Sequence, residues 1–181
     1  NYQICNPKYR IGYTKFDLKI KNTGSKYFYI NDISLKLIGK YNVLNATAAI
    51  ALCLSLGLKI KIIKQALKSF SGVQRRLTKV FKQNKVEFYD DYAHHPTEIK
   101  SVLEAIKKVA PKRKIITIFQ PHRYSRVRTL NSEFVSCFKD TDQIILCPIY
   151  SAGETVDKKY NNVKFAKLIS KFSKVQVIIV K

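Results

Sequence analysis

The sequence predicts an α/β fold, with a mostly parallel sheet in its second part. Strand and helix patterns alternate from about residue 78 to the end of the chain, and helical patterns precede them between residues 42 and 70. This alternation is typical of a parallel sheet that helices cover on both faces. The 181 residues, 46% of them apolar, suffice for one ordinary domain or for one domain plus part of another.

The first 70 residues combine strand and helix signals. KYFYI and ISLKLI alternate as strands do, and turn signals stand at Asn6-Pro7 and in residues 22–25. NVLNATAAIALCLSLG predicts a helix buried nearly all round, with Asn42 as its N-cap and Gly57 as its stop. Asn45 inside it would be a buried amide that needs partners. IIKQALKSF predicts a second, amphipathic helix.

The second part follows a regular order of elements. TKVF and VEFY predict short strands around the turn KQNK. A helix is predicted from Pro96, where a missing N–H costs little, to about Val109. KIITIF then predicts a buried strand, residues from about Leu130 to Phe138 a helix, and QIILCP another strand. A helix near residues 163–173 and the strand VQVIIV complete the series.

Three polar stretches directly follow predicted strands: DDYAHHP, QPHRYSR and IYSAGE. In an open parallel sheet, ligands bind at the carboxyl ends of the strands. If these three strands are neighbours, the polar residues share one edge, although roughly 30 residues separate one stretch from the next, as βαβ units do. At the start of the helix that follows DDYAHHP, unoccupied N–H groups would also face an anion.

The charge pattern favours anion capture over nucleic-acid binding. The net charge of +22 alone suggests a nucleic-acid-binding module. The lysines, however, are spread along the chain, whereas five of the seven arginines stand in two short stretches, as guanidinium groups that capture carboxylate or phosphate would. Arg123 and Arg126 are three residues apart, so in a helical turn they would lie on one face and grip one anion.

Other classes of site have little support. Adjacent His94 and His95 point apart and lack H-x-x-x-H spacing, so no metal site is predicted and a metal-dependent hydrolase is disfavoured. The four cysteines are scattered, which is typical of buried free thiols in a reducing cytoplasm. The longest apolar run, residues 43–58, is too short and too polar to span a bilayer, and no secretory signal is visible.

Five stretches in this order resemble the Mur ligases: GKYNVLNATAAIA, FSGVQRRL, YDDYAHHPTEI, FQPHRYSR and YSAGE. The resemblance implies that residues 1–74 end a P-loop-type central, ATP-binding domain. Residues 75–181 would form most of a Rossmann-like C-terminal, amino-acid-binding domain. The P-loop and the magnesium ligands of the family would precede this chain, and its last domain would continue beyond it. We therefore expect a fragment truncated at both ends.

The resemblance also implies a reaction: ATP-dependent ligation of L-alanine to UDP-N-acetylmuramate through an acyl phosphate, with ATP and Mg²⁺ as cofactors. QPHRYSR points to the alanine-adding members, and a related ligase that attaches a peptide is the alternative. Tyr41 stands where the family commonly has histidine, and Ala93 where glycine is frequent. The implied nucleotide-binding residues are Asn42, Asn45, Arg76 and Asp91. The implied substrate-binding residues are Tyr92, His94, His122, Arg123 and Arg126, with catalytic roles for His94, Arg123 and Arg126. His95 is interpreted as structural.

Overall fold

The structure is a computed structural model that describes residues 1–21, 26–157 and 159–180, so the turn predicted in residues 22–25 lies outside the described residues. The chain divides into two compact units, residues 1–91 with 108–110 and residues 92–107 with those from 111 onward. The predicted domain boundary after residue 74 stays a prediction. In the described residues, each helix falls short of the length and apolar character that a membrane span requires.

A three-stranded antiparallel sheet forms the base of the first unit. Its strands are β1 (Tyr2–Arg10), β2 (Tyr13–Lys21) and β3 (Tyr27–Leu35), in the order β1-β2-β3. Because side chains alternate across a strand, every second residue of β2 enters the core, as Phe16 and Leu18 do. The two strand signals predicted between residues 26 and 38 belong to the single strand β3.

The predicted turn at Asn6-Pro7 is wrong, because these residues lie inside β1. The register with β2 shifts between Cys5 and Lys8, which marks a bulge. β1 stands at the edge of its sheet, where a proline is tolerated. The chain instead reverses at Gly12, which has a φ of +83°.

Two helices pack on this sheet, α1 (Lys40–Ser55) and α2 (Ile60–Ser69). The predicted burial of α1 on all sides is wrong, since Leu44 and Leu52 are 50% and 62% exposed. Its buried residues recur at helical spacing and meet the sheet on one side: Val43, Ala46, Thr47 and Ile50. Gly57 ends the helix as predicted, with a φ of +78° and paired backbone bonds at the C-terminus.

A hairpin completes the first unit. β4 (Thr78–Gln83) and β5 (Val86–Asp90) pair antiparallel around the predicted turn, where Asn84 has a φ of +54°. In the part of the chain that the structure describes, β5 pairs with β4 alone and forms no part of the parallel sheet. The three strands that precede the polar stretches are therefore not all neighbours, as the sequence argument supposed.

The second unit contains the predicted parallel sheet. β6 (Ile116–Phe119), β7 (Gln143–Leu146) and β8 (Gln176–Ile179) pair in parallel in chain order. Its longer helices, α3 (Pro96–Val109) and α6 (Asn162–Ser173), confirm the predictions. The helix predicted from about Leu130 to Phe138 is the short helix α5 (Asn131–Ser136), and a second short helix that was not predicted, α4 (Tyr124–Thr129), precedes it. Leu130, with φ −108° and ψ 29°, leaves helical geometry between them.

Helices cover one face of this sheet. Phe119, Ile144 and Leu146 point into a core that the four helices complete. On the opposite face, Ile116, Ile118 and Ile178 are 51%, 68% and 45% exposed. Within the described residues, the prediction of helices on both faces is therefore wrong, and β6 is buried on one face instead of two.

Candidate active site

The loops after β6 and β7 run side by side beyond the ends of their strands. The amide of Cys147 donates to the carbonyl of Phe119 at 2.9 Å, and the amide of Tyr150 donates to the carbonyl of Pro121 at 2.9 Å. His122 and Tyr150 form an isolated parallel bridge. QPHRYSR and IYSAGE therefore meet, which confirms the convergence predicted from the parallel order of these two strands.

The stretch DDYAHHP reaches the same place by another route, since it joins a hairpin strand to helix α3. The ring centroids of His94 and His122 are 6.3 Å apart. Tyr92 lies edge-on to His94 at 5.1 Å, and Tyr150 lies 5.5 Å from His122. The four rings form a line that links all three polar stretches within the second unit.

Glu98 and His95 bind the amides at the start of α3. A carboxylate oxygen of Glu98 accepts from the amides of His94 and His95 at 3.1 and 3.2 Å. Nδ1 of His95 accepts from the amide of Thr97 at 3.3 Å. The pair acts as a capping box in which histidine replaces serine or threonine. The structural role of His95 and the helix start at Pro96 are confirmed. The prediction that amides at this helix start are open to an anion is wrong for those of His94, His95 and Thr97, because side chains already bind them.

His94 is oriented as a proton acceptor. Its Nδ1 lies 2.9 Å from the carbonyl oxygen of Tyr92 and 3.7 Å from a carboxylate oxygen of Glu98. Both neighbours are acceptors, so Nδ1 carries the proton, and in the neutral ring Nε2 holds the lone pair. The arrangement suits a general base.

His122 has the opposite tautomer because Arg126 binds it. Nη1 of Arg126 lies 3.0 Å from Nδ1 of His122 and donates to its carbonyl oxygen at 2.9 Å. A guanidinium has donors alone, so Nδ1 of His122 accepts and the proton of the neutral ring is on Nε2. His122 thus holds the Arg126 side chain in place, and its predicted contact with the substrate stays a prediction.

Arg123 contacts a carboxylate from the loop after β7. Its Nε lies 3.4 Å from Oε1 of Glu154, and the hydroxyl of Ser125 donates to the same oxygen. The amide of Ser125 donates to Oε2 of Glu154 at 3.0 Å. These bonds from Ser125, and then the charge of Arg123, hold the pKa of Glu154 below its usual range. Arg123 is the extended N-cap of α4 and Arg126 lies within the helix, so the argument that both share one helical face is wrong. Their roles in anion binding stay predictions.

Three of the four predicted nucleotide-binding residues, Asn42, Arg76 and Asp91, affect the pKa of Tyr41 in the first unit. Burial is the largest cause that raises the pKa of Tyr41, and the charge of Asp91 raises it further. The Asn42 side chain and the charge of Arg76 act in the opposite direction. Asn42, Arg76 and Asp91 therefore act electrostatically on the same side chain, and their binding of a nucleotide stays a prediction.

Two adjacent acids hold the bend that carries Arg76. Nε of Arg75 lies 3.3 Å from a carboxylate oxygen of Asp90, and the amide of Leu77 donates to Asp91 at 2.7 Å. Arg75 and Leu77 have φ values of +57° and +49°, a conformation uncommon outside glycine. The two carboxylates thus stabilise a backbone bend that is unfavourable by itself, and Arg76 stands at its centre.

Asn42 and Asn45 differ from their predicted settings. Gly39 is the N-cap of α1, so Asn42 lies in the first turn, where its side chain donates to the carbonyl of Ile38 at 2.8 Å. Asn45 is exposed, and the argument from a buried amide is therefore wrong for it. Its predicted contact with a nucleotide stays a prediction.

Four residues of the site were missed by the sequence reasoning: Ser125, Glu98, Tyr150 and Glu154. Glu98 stands three residues after His95, the spacing of a capping box, and this signal could have identified it. Glu154 is the acid in IYSAGE and faces a basic loop once β6 and β7 pair, so charge complementarity could also have identified it. The local sequence around Ser125 and Tyr150 carries no comparable signal.

The four cysteine side chains were predicted to be buried free thiols. All four thiols are free, and Cys5, Cys53 and Cys147 are partly exposed, so full burial was correctly predicted for Cys137 alone. Burial raises the pKa of the Cys137 thiol to about 12. In the described ranges, no three His, Cys, Asp or Glu side chains are grouped closely enough to hold a metal ion.

Comparison with known proteins places these features in a family. Residues 75–180 match the family model described as Mur ligase, glutamate ligase domain. A UDP-N-acetylmuramate–L-alanine ligase of Pelagibacter ubique is 48% identical over 182 residues, covering 99% of this chain and 39% of its own length. A ligase of the same name from Agrobacterium fabrum is 49% identical over 141 residues, 77% of this chain and 30% of that protein.

A solved structure agrees with these relatives. The crystal structure of the UDP-N-acetylmuramate-alanine ligase of Thermotoga maritima has a TM-score of 0.77 at 28% identity, covering 99% of this chain and 37% of that one. The chain spans less than two fifths of the length of these three relatives. The family match covers more than half of the chain, and a relative is 48% identical over almost all of it. The chain therefore belongs to the Mur ligase family.

Proposed function

We propose that this chain is part of an ATP-dependent enzyme that joins L-alanine to UDP-N-acetylmuramate in the cytoplasm, during synthesis of peptidoglycan precursors. The observation that carries the proposal is the grouping of His94, Arg123 and Arg126 beyond the ends of the parallel strands. It occurs in a chain 48% identical to a relative of that name. Because the chain spans 39% of that relative, it would supply only part of the enzyme.

The reaction has two steps. The muramyl carboxylate attacks the γ-phosphorus of ATP, so ADP leaves and an acyl phosphate forms. The alanine amine then attacks the acyl carbon, loses a proton, and phosphate leaves with the broken C–O bond. The second step needs a base near the amine and fixed positive charge near the anionic groups.

The second unit would supply both of these. His94 has its Nδ1 proton directed at Tyr92 and Glu98, so Nε2 would accept the proton from the amine. Both bonds from Arg126 to His122 use Nη1, so Nε and Nη2 would face an anion such as the alanine carboxylate or the transferred phosphoryl group. Arg123 would hold the second anionic group, with Tyr92 packing beside the substrate.

The first unit would contact ATP. Arg76, presented by the bend that Asp91 stabilises, would hold a phosphate, and the amides of Asn42 and Asn45 would contact the adenine region. The Mg²⁺ that accompanies ATP in the family neutralises phosphate charge during transfer. We place its ligands chiefly in the rest of the enzyme, as the resemblance to the family implies.

The test measures ADP release by the full-length protein with ATP and UDP-N-acetylmuramate. L-Alanine, other amino acids and a short alanyl peptide are added in turn. We expect release to depend on alanine, and Arg123→Ala and His94→Ala to lower kcat/KM for alanine by about 10²-fold or more. Arg128→Ala is the matched control. Arg128 lies in α4, the helix that Arg123 caps. It is exposed and pairs with Asp157 at 3.4 Å. Its kcat/KM should stay within about twofold.

The possible outcomes separate the activity from the site. ADP release with the peptide and not with alanine would replace the proposal by the peptide-attaching alternative. No ADP release with any of these acceptors would overturn the ligase proposal. Alanine-dependent release that both site variants leave unchanged would keep the activity and remove His94 and Arg123 from its site.

A further inference from the structure

Glu154 connects the loop after β7 to the start of helix α4. One carboxylate group makes three contacts on that segment, with the amide of Ser125, with the hydroxyl of Ser125 and with Nε of Arg123. The segments are already adjacent through the bridge between His122 and Tyr150. The Glu154 side chain therefore joins these two segments through one carboxylate.

The two contacts with Ser125 resemble a helix cap. Ser125 is the second residue of α4, so its amide lacks a partner within the helix, and the Glu154 carboxylate supplies one at the positive end of the helix. Capping explains two of the three contacts. It does not require the third, in which the anchored carboxylate binds the side chain of Arg123.

We propose that Glu154 is a positioning residue for the amino-acid substrate, acting through Arg123. This inference rests on the proposed function. An arginine side chain has several rotatable bonds, and an exposed one loses rotamer freedom when it binds an anion. A carboxylate fixed by Ser125 holds Nε of Arg123 in advance, so less ordering remains when substrate binds. The positioning is specific to Arg123, because Arg126 is held by His122.

The chain offers a matched control a few residues away. Asp157 belongs to the same loop and pairs with Arg128 of the same helix, with N···O 3.4 Å as in the pair of Arg123 and Glu154. Asp157→Asn therefore removes an equivalent charge pair between the same two segments. It keeps an oxygen that can accept from the amide of Lys159.

The experiment compares steady-state kinetics of the full-length enzyme with Glu154→Gln, Glu154→Ala and Asp157→Asn. We expect Glu154→Gln to raise KM for alanine about tenfold, because it keeps the shape and loses the charge that holds Arg123. Glu154→Ala should raise it further, while KM for ATP stays within about twofold for both variants. Asp157→Asn should change neither constant by more than about twofold.

A double-variant cycle separates positioning from general stability. If Glu154 acts through Arg123, Glu154→Gln should have no further effect on KM for alanine once Arg123→Ala is present. If Glu154 were purely a structural cap, Glu154→Gln would raise KM for alanine by the same factor in the parent and in Arg123→Ala. That result, or an equal effect of Asp157→Asn, would overturn the inference.

The inference can fail separately from the proposed function. If the full-length protein uses another amino acid or a peptide, the same cycle is run with that acceptor. If it releases no ADP, ¹⁵N relaxation of the Arg123 Nε–H group measures whether Glu154 restricts the motion of that side chain. We expect its order parameter to fall in Glu154→Gln and to stay at the parent value in Asp157→Asn. An Arg123 side chain that is as ordered in Glu154→Gln as in the parent would overturn the positioning role.

Discussion

Replacing Ser173 by alanine should destabilise the second unit. Ser173 is the last residue of α6 and is 4% exposed. Its hydroxyl donates to the carbonyl of Val135 at 2.8 Å and accepts from the amide of Phe138 at 3.2 Å. One hydroxyl thus joins the end of α5 to the end of α6, beside the core that supports the candidate active site.

The expected magnitude follows from these two bonds. Each contributes about 1 kcal/mol net, and a buried amide left without its acceptor costs about 1–3 kcal/mol. Alanine is the better helix former, and this offsets about 0.5 kcal/mol. We therefore expect Ser173→Ala to lower the free energy of unfolding by about 2 kcal/mol.

Urea unfolding followed by near-ultraviolet circular dichroism measures this change. With a slope of about 1–2 kcal/mol per molar urea, the midpoint should fall by about 1–2 M. Ser136→Ala is the control, because the Ser136 hydroxyl makes a solvent-exposed bond to the carbonyl of Ser132 at 3.0 Å, within α5 alone. It should change the stability by less than about 0.5 kcal/mol. A loss in Ser173→Ala no larger than in Ser136→Ala would refute the reasoning.

Three further outcomes are expected. Cys137, whose pKa is raised to about 12 by burial, should resist iodoacetamide in the native chain at pH 8, while Cys147 should be alkylated, as mass spectrometry of the peptides would show. Gly72→Ala should lower the free energy of unfolding by about 1–3 kcal/mol, because φ is +99° and the new methyl group would lie 2.9 Å from a Leu37 methyl. A thermal midpoint within one degree of the parent would contradict this. Hydrogen bonds from Ser125 lower the pKa of Glu154, so its stabilising contribution is present above the unfolded carboxyl pKa of about 4.3 and is lost as the pH falls through the lower folded value. The difference in urea midpoint between the parent and Glu154→Gln should therefore shrink below about pH 4, and a difference that grows there would contradict the sign.

Much of the fold was predictable because the residues that begin and end its helices and turns are visible in the local sequence. Pro96 and Pro111 bracket α3, whose predicted bounds are confirmed, and Gly57 ends α1. The turn KQNK likewise marks its hairpin. In contrast, no proline or glycine stands at the break between α4 and α5 at Leu130, so the local sequence does not indicate it. The bulge at Asn6-Pro7 carries the same residues as a turn, and only pairing with a neighbouring strand distinguishes the two.

The candidate site was predictable in its location and less so in its contacts. Parallel order brought QPHRYSR and IYSAGE together, as the sequence indicated. The contacts depend on distances between side chains far apart in sequence. Glu154 lies 29 residues from Ser125, and no local pattern pairs them. The exposure of Asn45 has a similar origin, because the apolar residues of α1 surround the helix and only tertiary packing selects the buried side.

The bare face of the parallel sheet has a consequence for how copies of this chain meet in solution. Ile116, Ile118 and Ile178 present apolar surface to water on a chain with a formal charge of +22. Repulsion between such copies extends about 30 Å in 0.01 M salt and about 3 Å in 1 M salt. In dilute buffer, lysine charge keeps the isoleucine faces apart, and concentrated salt removes that barrier. We therefore expect the colloidal behaviour of the isolated chain to depend on ionic strength.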